Sequence, residues 1–258
     1  MSPILINLGF IQIRWYSVLI LTAFVLGYFL VIKSCAKRGI ETSKVTDLCF
    51  YLVIVCILGA RLYYCLFNLD YYSKNLLDIF KIWEGGLAIH GGIIAGLIFI
   101  CFYTRKKDIN MLELLDIMAP ALALGQAIGR WGNFFNQEAF GPVVTRFRLR
   151  ELNIPKFIID NMYINGQYHH PTFFYESIGC LVIFIILMVM RNSKKIRKGQ
   201  IVSVYMFLYG IIRFFIEGLR QDSLMFFNLK IAQVVSIIMC ISGVLLFLYP
   251  YLRRKYDK

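Results

Sequence analysis

The residues best equipped for chemistry lie at positions 129–138, directly after an apolar run that ends at Ile128. The segment reads Gly-Arg-Trp-Gly-Asn-Phe-Phe-Asn-Gln-Glu, and the polar residues singled out among its glycines and aromatic rings are Arg130, Asn133, Asn136 and Glu138. A guanidinium offers a planar fork of donors that suits phosphate oxygens, and amides can bind ester or glycerol oxygens. Charges at membrane depth cost about 2.5–3.5 kcal/mol each and therefore usually mark a functional site. Because the charged group here includes a guanidinium, the cluster predicts a site for an anion in or at the bilayer. The alternative is an arginine that snorkels from an interfacial loop.

A second set of polar residues follows a helical repeat near the end of another apolar run. Spacings of four, four and three predict one helical face for its members, which are Tyr209, Arg213, Glu217 and Arg220. A stripe of this kind is too polar to face lipid, so it lines a polar cavity or pairs with neighbouring helices. The plainer interpretation is an internal ladder of salt bridges.

His90 lies between glycine pairs at the start of a third apolar run, in Gly-Gly-Leu-Ala-Ile-His-Gly-Gly at 85–92. Imidazole titrates near neutral pH, so an accessible ring there could take or give a proton. The alternative is a hydrogen-bonded structural histidine among small residues at a close contact between helices.

Glu176 belongs to the motif His170-Pro171-Thr172-Phe173-Phe174-Tyr175-Glu176. The Pro-Thr pair predicts a helix start, which puts Glu176 about one turn into a span. A carboxylate at that depth needs a cationic partner, for which Arg130 and Arg213 are the candidates, so structural pairing is a plain alternative to substrate binding. Tyr16, Arg61 and Gln233 are isolated polar residues of a kind that is typically structural.

The composition indicates that these clusters are positioned by membrane helices. The chain has 258 residues, of which 59% are hydrophobic and 17% charged, and its mean hydropathy is +0.66. Several apolar runs approach the roughly 20 residues that span a bilayer, which predicts an all-α polytopic membrane protein forming a single membrane domain over 1–258. About seven spans are predicted, at 15–33, 46–67, 87–104, 111–130, 173–190, 200–217 and 231–250.

The basic residues predict the orientation of these spans. Lys and Arg are concentrated in alternate loops, near 37–44, 105–107, 191–198 and 253–255. By the positive-inside rule these loops are cytoplasmic, so the N-terminus is expected outside and the C-terminus inside. The largest loop, about 131–172, is then on the outer side as a small cap or arm with limited secondary structure. A second outer segment, about 68–86, is rich in Tyr, Asp and Lys and is expected at the headgroup level.

Several other chemistries find no support in the sequence. It contains no HExxH motif, no serine nucleophile elbow and no P-loop, and its three histidines are not in ligand spacing. We therefore expect no metal and no cofactor. The seven cysteines lie in or beside apolar runs without a CxxC pair, which favours small hydrophobic fillers. A net charge of +13 without a basic soluble face argues against nucleic acid as a partner.

In their order along the chain, the clusters resemble the prolipoprotein diacylglyceryl transferases of bacteria. The likeness extends over nearly the whole chain, and its most specific part is the segment 129–138. The other matching stretches are His-Gly-Gly at 90–92, His170 to Glu176, Tyr209-Gly210 to Arg220, Gly59-Ala60-Arg61 and Gln233 to Ser236. Ile93 stands where leucine is expected after His-Gly-Gly, which is a conservative difference.

The resemblance implies transfer of an sn-1,2-diacylglyceryl group from phosphatidylglycerol to a lipobox cysteine of a prolipoprotein, at the outer leaflet of the bacterial cell membrane. A thioether would form and glycerol 1-phosphate would leave. In this interpretation His90, Arg130 and Arg213 are catalytic. The substrate-binding residues are Tyr16, Asn133, Asn136, Glu138, Glu176, Tyr209, Glu217 and Arg220. A lipid or anion transporter would use the same arginines without bond cleavage, and a non-catalytic scaffold would tolerate their loss.

Overall fold

Our computed structural model describes residues 2–9, 12–193, 195–220, 225–226 and 229–256 of the chain. Lys194, one of the basic residues used to predict the orientation, lies outside the described residues. Helices dominate, and three short antiparallel hairpins accompany them. The hairpins pair β1 (Ile4–Asn7) with β2 (Gln12–Arg14), β3 (Tyr163–Ile164) with β4 (Gln167–Tyr168), and β5 (Met225–Phe226) with β6 (Leu229–Lys230).

Each of the seven predicted spans is a helix. They are α1 (Trp15–Lys37), α2 (Thr42–Leu66), α4 (Ile89–Lys106), α5 (Met111–Asn136), α8 (Thr172–Arg191), α9 (Gln200–Leu219) and α10 (Ile231–Tyr256). Three shorter helices complete the set of α-helices, α3 (Leu69–Tyr72), α6 (Arg146–Glu151) and α7 (Lys156–Asn161). The largest boundary errors concern the ends of two helices: α5 ends at Asn136 and not near 130, and α10 ends at Tyr256 and not near 250.

Six of these helices are long and apolar enough to cross a membrane, which confirms an all-α polytopic membrane protein. The exception is α4, whose 18 residues begin with Ile-His-Gly-Gly and end with Thr-Arg-Lys. At about 1.5 Å per residue this helix is about as long as the hydrocarbon core is thick, but both of its ends are polar. The count of seven spans and the positions of the two termini stay predictions.

The chain divides into two compact units, of which the smaller comprises Ile32–Leu114. Its main feature is the close packing of α2 against α4. A side chain at Gly59 or Gly91 would collide with the facing helix, because Gly59 lies against Ala95 and Gly91 lies against Tyr63. Small residues thus let the two backbones approach closely, as is common between membrane helices.

The larger unit comprises Met1–Val31 and Leu115–Lys258. One core cluster joins α5, α8 and α9 through the buried residues Ala119, Ala123, Ile183, Leu187, Ile201, Val202 and Tyr205. Helix α10 packs on α9 at Gly210, where an added Cβ would lie 2.7 Å from the Cys240 sulfur. The start of α9 is held by Asp116 of α5, whose buried carboxylate accepts the N–H groups of Gly199 at 2.7 Å and Val202 at 2.8 Å.

The arm between α5 and α8 has a hydrophobic core of its own. The core consists of Phe134, Leu149, Ile154, Ile158, Ile159, Met162, Ile164 and Phe173, which come from the ends of both long helices and from α6, α7 and β3. Trp131 packs against it with its ring edge-on to Phe173, at 5.5 Å between centroids. The arm therefore has the limited secondary structure that the sequence predicts, and its core fixes it to the last turns of α5 and the first turn of α8.

Candidate active site

Glu176 is the centre of the polar network in the larger unit. Its carboxylate is only 2% exposed, and it forms ion pairs with two arginines from two other helices. Arg130 Nη2 of α5 lies 2.7 Å from one oxygen, and Arg213 Nη1 of α9 lies 3.4 Å from the other. The sequence argument named these two arginines as alternative partners, and the structure pairs Glu176 with both. A buried carboxylate between two guanidinium groups fixes the planes of both arginines.

Helix α9 adds three polar side chains on one face of the network. Arg213 Nη2 lies 2.6 Å from Glu217, one turn later, and the Glu217 side chain is 4% exposed. The Tyr209 hydroxyl donates to Glu176 at 3.3 Å. The predicted spacing of four residues thus brings Tyr209, Arg213 and Glu217 together, as expected for one helical face.

Arg220, the fourth residue of the predicted face, lies beyond the last residue of α9, and its place on that face stays a prediction. Helix α9 ends at Leu219, and Arg220 is its C-cap residue with an extended backbone conformation. The end of the helix is held by Lys230, whose ammonium group donates to the carbonyl oxygens of Glu217 at 2.8 Å, Gly218 at 3.3 Å and Arg220 at 2.9 Å. A cation at a helix C-terminus stabilises the carbonyls that have no partner within the helix. Sequence reasoning missed Lys230, although a basic residue directly before α10 is a usable signal for such a cap.

Asn133, Asn136 and Glu138 form a separate cluster at the end of α5. Both amide nitrogens donate to the same oxygen of Glu138, from Asn133 at 2.9 Å and from Asn136 at 3.2 Å. The Glu138 backbone N–H also donates to the Asn133 carbonyl at 3.0 Å. Among the described residues Glu138 pairs with these amides and with no arginine. The cluster thus turns the chain out of α5 and presents an exposed carboxylate there.

Tyr16 contacts α5 one turn from the network. Its ring packs directly on Gly132, where any added Cβ would overlap the ring carbons. The neighbouring Trp15 stacks on Phe135 at 4.6 Å between centroids. The start of α1 is therefore fixed to the last turn of α5, and Gly132 is required because the aromatic ring occupies the space of a side chain.

His90 and Arg61 belong to the smaller unit. His90 is an exposed residue in the first turn of α4, with its ring centroid 6.3 Å from that of Tyr63. Arg61 is 6% exposed and donates from all three of its nitrogens to backbone carbonyls, as a structural arginine does. Its role agrees with the sequence interpretation, whereas a catalytic role for His90 stays a prediction.

The arm brings two further histidines close to the start of α8. Buried His169 contacts the Gly141 carbonyl through Nδ1 at 2.9 Å, and His170 Nδ1 lies 3.0 Å from the Tyr175 hydroxyl. Partial burial, and to a smaller degree the charge of Arg148, lowers the pKa of His170 below its usual value. An added Cβ on Gly141 would lie 2.8 Å from the Cβ of His170, so this glycine allows the close approach. The sequence showed the histidines but not this contact.

The electrostatic balance of the network explains what it can do chemically. Two arginines face two glutamates, so that their formal charges cancel, and the arginine side chains remain 22% and 17% exposed. A guanidinium has five N–H donors, more than its carboxylate partner uses. The network is therefore a pair of oriented, partly accessible guanidinium groups, which suits an anion with several oxygens. No group of three His, Cys, Asp or Glu side chains that could hold a metal ion occurs in the described part of the chain.

Comparison with known proteins gives one consistent family. The family model described as prolipoprotein diacylglyceryl transferase matches residues 3–249. Three curated relatives, from Staphylococcus aureus strains JH9, Newman and Mu50, bear the name phosphatidylglycerol–prolipoprotein diacylglyceryl transferase. Each is 44% identical to this chain over 257 residues, which cover 99% of this chain and 91% of the relative.

Proposed function

Because this chain belongs to the prolipoprotein diacylglyceryl transferase family, we propose that it transfers the sn-1,2-diacylglyceryl group of phosphatidylglycerol to the lipobox cysteine of bacterial prolipoproteins. Its apolar helices hold the enzyme in the membrane, where its lipid substrate resides. The observation that supports this reaction within the molecule is the Arg130–Glu176–Arg213 network, which presents two oriented guanidinium groups on helices that are candidate membrane spans.

The reaction exchanges one bond for another at a single carbon. The cysteine sulfur attacks the glycerol carbon that bears the phosphate, a thioether C–S bond forms, and the C–O bond to the phosphate breaks. The electron pair of that bond leaves with glycerol 1-phosphate, and the thiol proton goes to a base. No cofactor is needed, because the activated group arrives with the lipid.

Arg130 and Arg213 bind the phosphate and stabilise the leaving group. The lipid phosphate carries one negative charge, and the departing monoester gains a second, so cationic donors interact more strongly with the transition state than with the ground state. Glu176 and Glu217 hold the guanidinium groups in place before the substrate arrives. Because this orientation exists in advance, little reorganisation is needed when the charge develops.

The remaining site residues bind and orient the substrates. Tyr209 donates a hydroxyl within the network, and Tyr16 presents a half-exposed phenol against Gly132. Asn133, Asn136 and Glu138 form a polar cluster for headgroup oxygens and hydroxyls. Arg220, beyond the end of α9, adds a cation at the same end of that helix.

His90 is the proposed acceptor of the thiol proton. A free cysteine with a pKa of about 8.5 is only about 3% thiolate at neutral pH, so that a base raises the concentration of the nucleophile. A neutral imidazole has one ring nitrogen without a hydrogen, and that nitrogen can accept the proton. The alternative role is orientation of the substrate, with the thiol pKa lowered by the field of the arginines.

The site is proposed to face the outer leaflet of the bacterial cell membrane. Support comes from the basic residues, which are concentrated in alternate loops of the chain. This orientation puts the N-terminus and the arm outside and the C-terminus in the cytoplasm. Exported prolipoproteins and phosphatidylglycerol would then meet at the outer surface of the membrane.

The test is reconstitution of the purified protein in phosphatidylglycerol liposomes with a synthetic lipobox peptide. The expected result is release of glycerol phosphate together with a mass gain of one diacylglyceryl group on the peptide cysteine. A peptide with serine in place of that cysteine is the matched control and should give neither signal. Lipid movement between leaflets without either product, for several lipobox peptides, would overturn the enzyme assignment in favour of a transporter.

A further inference from the structure

The segment between α2 and α4 exposes four large apolar side chains. Two 3-10 turns, Leu76–Phe80 and Ile82–Glu84, carry large side chains that contact little else in the molecule. Leu76 is 65% exposed, Leu77 80%, Phe80 74% and Trp83 76%. Clusters of this size on a protein surface mark an interaction site, because solvation of so much apolar area is unfavourable.

The backbone of the same segment is turned inward onto one arginine. The five N–H groups of Arg61 meet five carbonyl oxygens: Nε donates to Ile79 at 2.9 Å, Nη1 to Gly85 at 2.8 Å and Gly86 at 3.1 Å, and Nη2 to Asp78 at 2.5 Å and Lys81 at 3.3 Å. A guanidinium has five such donors, so every one of them is occupied. Arg61 therefore does not act as an anion site, and its role is to satisfy the carbonyls of an irregular loop.

This arrangement meets the main requirement for irregular backbone close to hydrocarbon. Unsatisfied carbonyls are costly away from water, so loops at that depth must have their polar groups paired within the protein. Here the carbonyls point to Arg61 while the Leu, Phe and Trp side chains point away. Gly85 and Gly86 make the final approach to the guanidinium possible with positive φ angles of 93° and 70°.

Exposed apolar stripes also lie on the two helices that flank the segment. On α2 the stripe consists of Leu58, Leu62 and Leu66, which are 61%, 60% and 53% exposed. On α4 it consists of Ile89, Ile93 and Leu97, which are 71%, 54% and 52% exposed. A spacing of four residues keeps each stripe on one side of its helix. Because α2 is one of the six candidate spans, lipid acyl chains are the expected surroundings of its exposed stripe.

We propose that the face formed by Leu76, Leu77, Phe80 and Trp83 is inserted into the bilayer, at the boundary between the headgroups and the acyl chains. Its partner is the phospholipid surface, and the charged residues of the segment remain on the water side. This position is deeper than the headgroup level that the Tyr, Asp and Lys content of the segment predicts. Amphipathic interfacial segments reach a comparable boundary, about 5–10 Å below the headgroup surface.

The insertion has a consequence for His90 that rests on the proposed function. The clamped loop ends at Gly86, and His90 follows four residues later in the first turn of α4. The Ala88 N–H also donates to the Ala60 carbonyl at 3.1 Å, which ties this connection to α2 next to Arg61. The depth of the loop in the bilayer thus sets the depth of the imidazole.

The test uses the fluorescence of Trp83, one of only three tryptophans in the chain. The full protein and a Trp83→Phe variant are reconstituted in phosphatidylglycerol vesicles, and the difference between their emission spectra gives the Trp83 component. We expect that component to be quenched by lipids brominated near the carbonyl end of the acyl chains and protected from aqueous iodide. Quenching by iodide but not by bromolipid would overturn the proposal, as would protection from both.

Two further measurements distinguish insertion into the bilayer from binding of the peptide, and they do not depend on catalysis. If added lipobox peptide removed the bromolipid quenching, the face would bind the apolar part of the peptide, which would also overturn the proposal. An Arg61→Lys variant supplies three donors for five carbonyls, and it should make Trp83 accessible to iodide, whereas Arg105→Lys at the other end of α4 should not. The quenching is read without turnover, so it stands or fails independently of the transferase assay.

Discussion

Replacement of Glu176 by glutamine is expected to destabilise the fold, because it removes the charge shared by Arg130 and Arg213. An ionic hydrogen bond contributes about 1.5–3 kcal/mol, and removal of one partner of a buried pair costs about 3–5 kcal/mol. The Arg130–Glu176 contact at 2.7 Å contributes a full ionic hydrogen bond, whereas the Arg213–Glu176 contact at 3.4 Å is too long to add much stability. Glutamine retains one carbonyl acceptor, so the expected loss is about 2–3 kcal/mol.

The assay is unfolding of the purified protein in detergent micelles, followed with a thiol-reactive dye. Buried free cysteines such as Cys180 become accessible only on unfolding. Glu138→Gln is the matched control, because its carboxylate is exposed and meets only two amides, and a change below about 1 kcal/mol is expected there. In a double-mutant cycle with Arg130→Gln, the coupling energy should be about 2 kcal/mol. Equal stability of the two single Glu variants, or strict additivity in the cycle, would refute the reasoning.

Three other predictions concern positions around the network. Gly132→Ala should lower transferase activity, because the added Cβ forces Tyr16 away from α5. Gly125→Ala on the same helix should be neutral, because a Cβ there meets nothing within 4 Å. Initial rates in liposomes compare the two variants. Asp116→Asn should cost about 1–2 kcal/mol in denaturant unfolding, because the amide nitrogen that replaces one carboxylate oxygen cannot accept the backbone N–H group that this oxygen binds at the start of α9. Since burial and Arg148 lower the pKa of His170, its cation is disfavoured in the folded state. Stability should therefore fall as the pH drops below about 6.5, and His170→Gln should weaken that dependence in melting scans.

The positions of the long helices were predictable from the sequence, because apolar runs of nearly bilayer length leave few alternatives to a helix. The pairing of Glu176 was also predictable in kind. A carboxylate one turn into a span requires a cation, and only a few arginines lie at comparable depth. That both arginines share it depends on how α5, α8 and α9 pack, which spacing along one helix does not reveal.

The ends of the helices were the least predictable part. Helix α5 continues to Asn136, because Tyr16 and the core of the arm cover its last turn with side chains distant in sequence. Helix α9 stops before Arg220, where Lys230 takes the terminal carbonyls. Both outcomes are decided by tertiary contacts that override local propensity. The five hydrogen bonds from Arg61 to backbone carbonyls were equally unpredictable, because the sequence shows the arginine but not the loop that closes on it.

The central feature of the proposed reaction is that Arg130 and Arg213 bind the phosphate with planar guanidinium groups. The direct measurement is glycerol phosphate release in phosphatidylglycerol liposomes for Arg130→Lys and Arg213→Lys, after each variant is shown to be folded. Arg146→Lys is the control, because that arginine pairs with Asp160 on the surface of the arm. Loss of a charge-assisted contact of about 1.5–3 kcal/mol predicts rates about 10- to 100-fold lower for the two site variants and an unchanged rate for the control. Full activity in folded Arg130→Lys and Arg213→Lys proteins would contradict the claim.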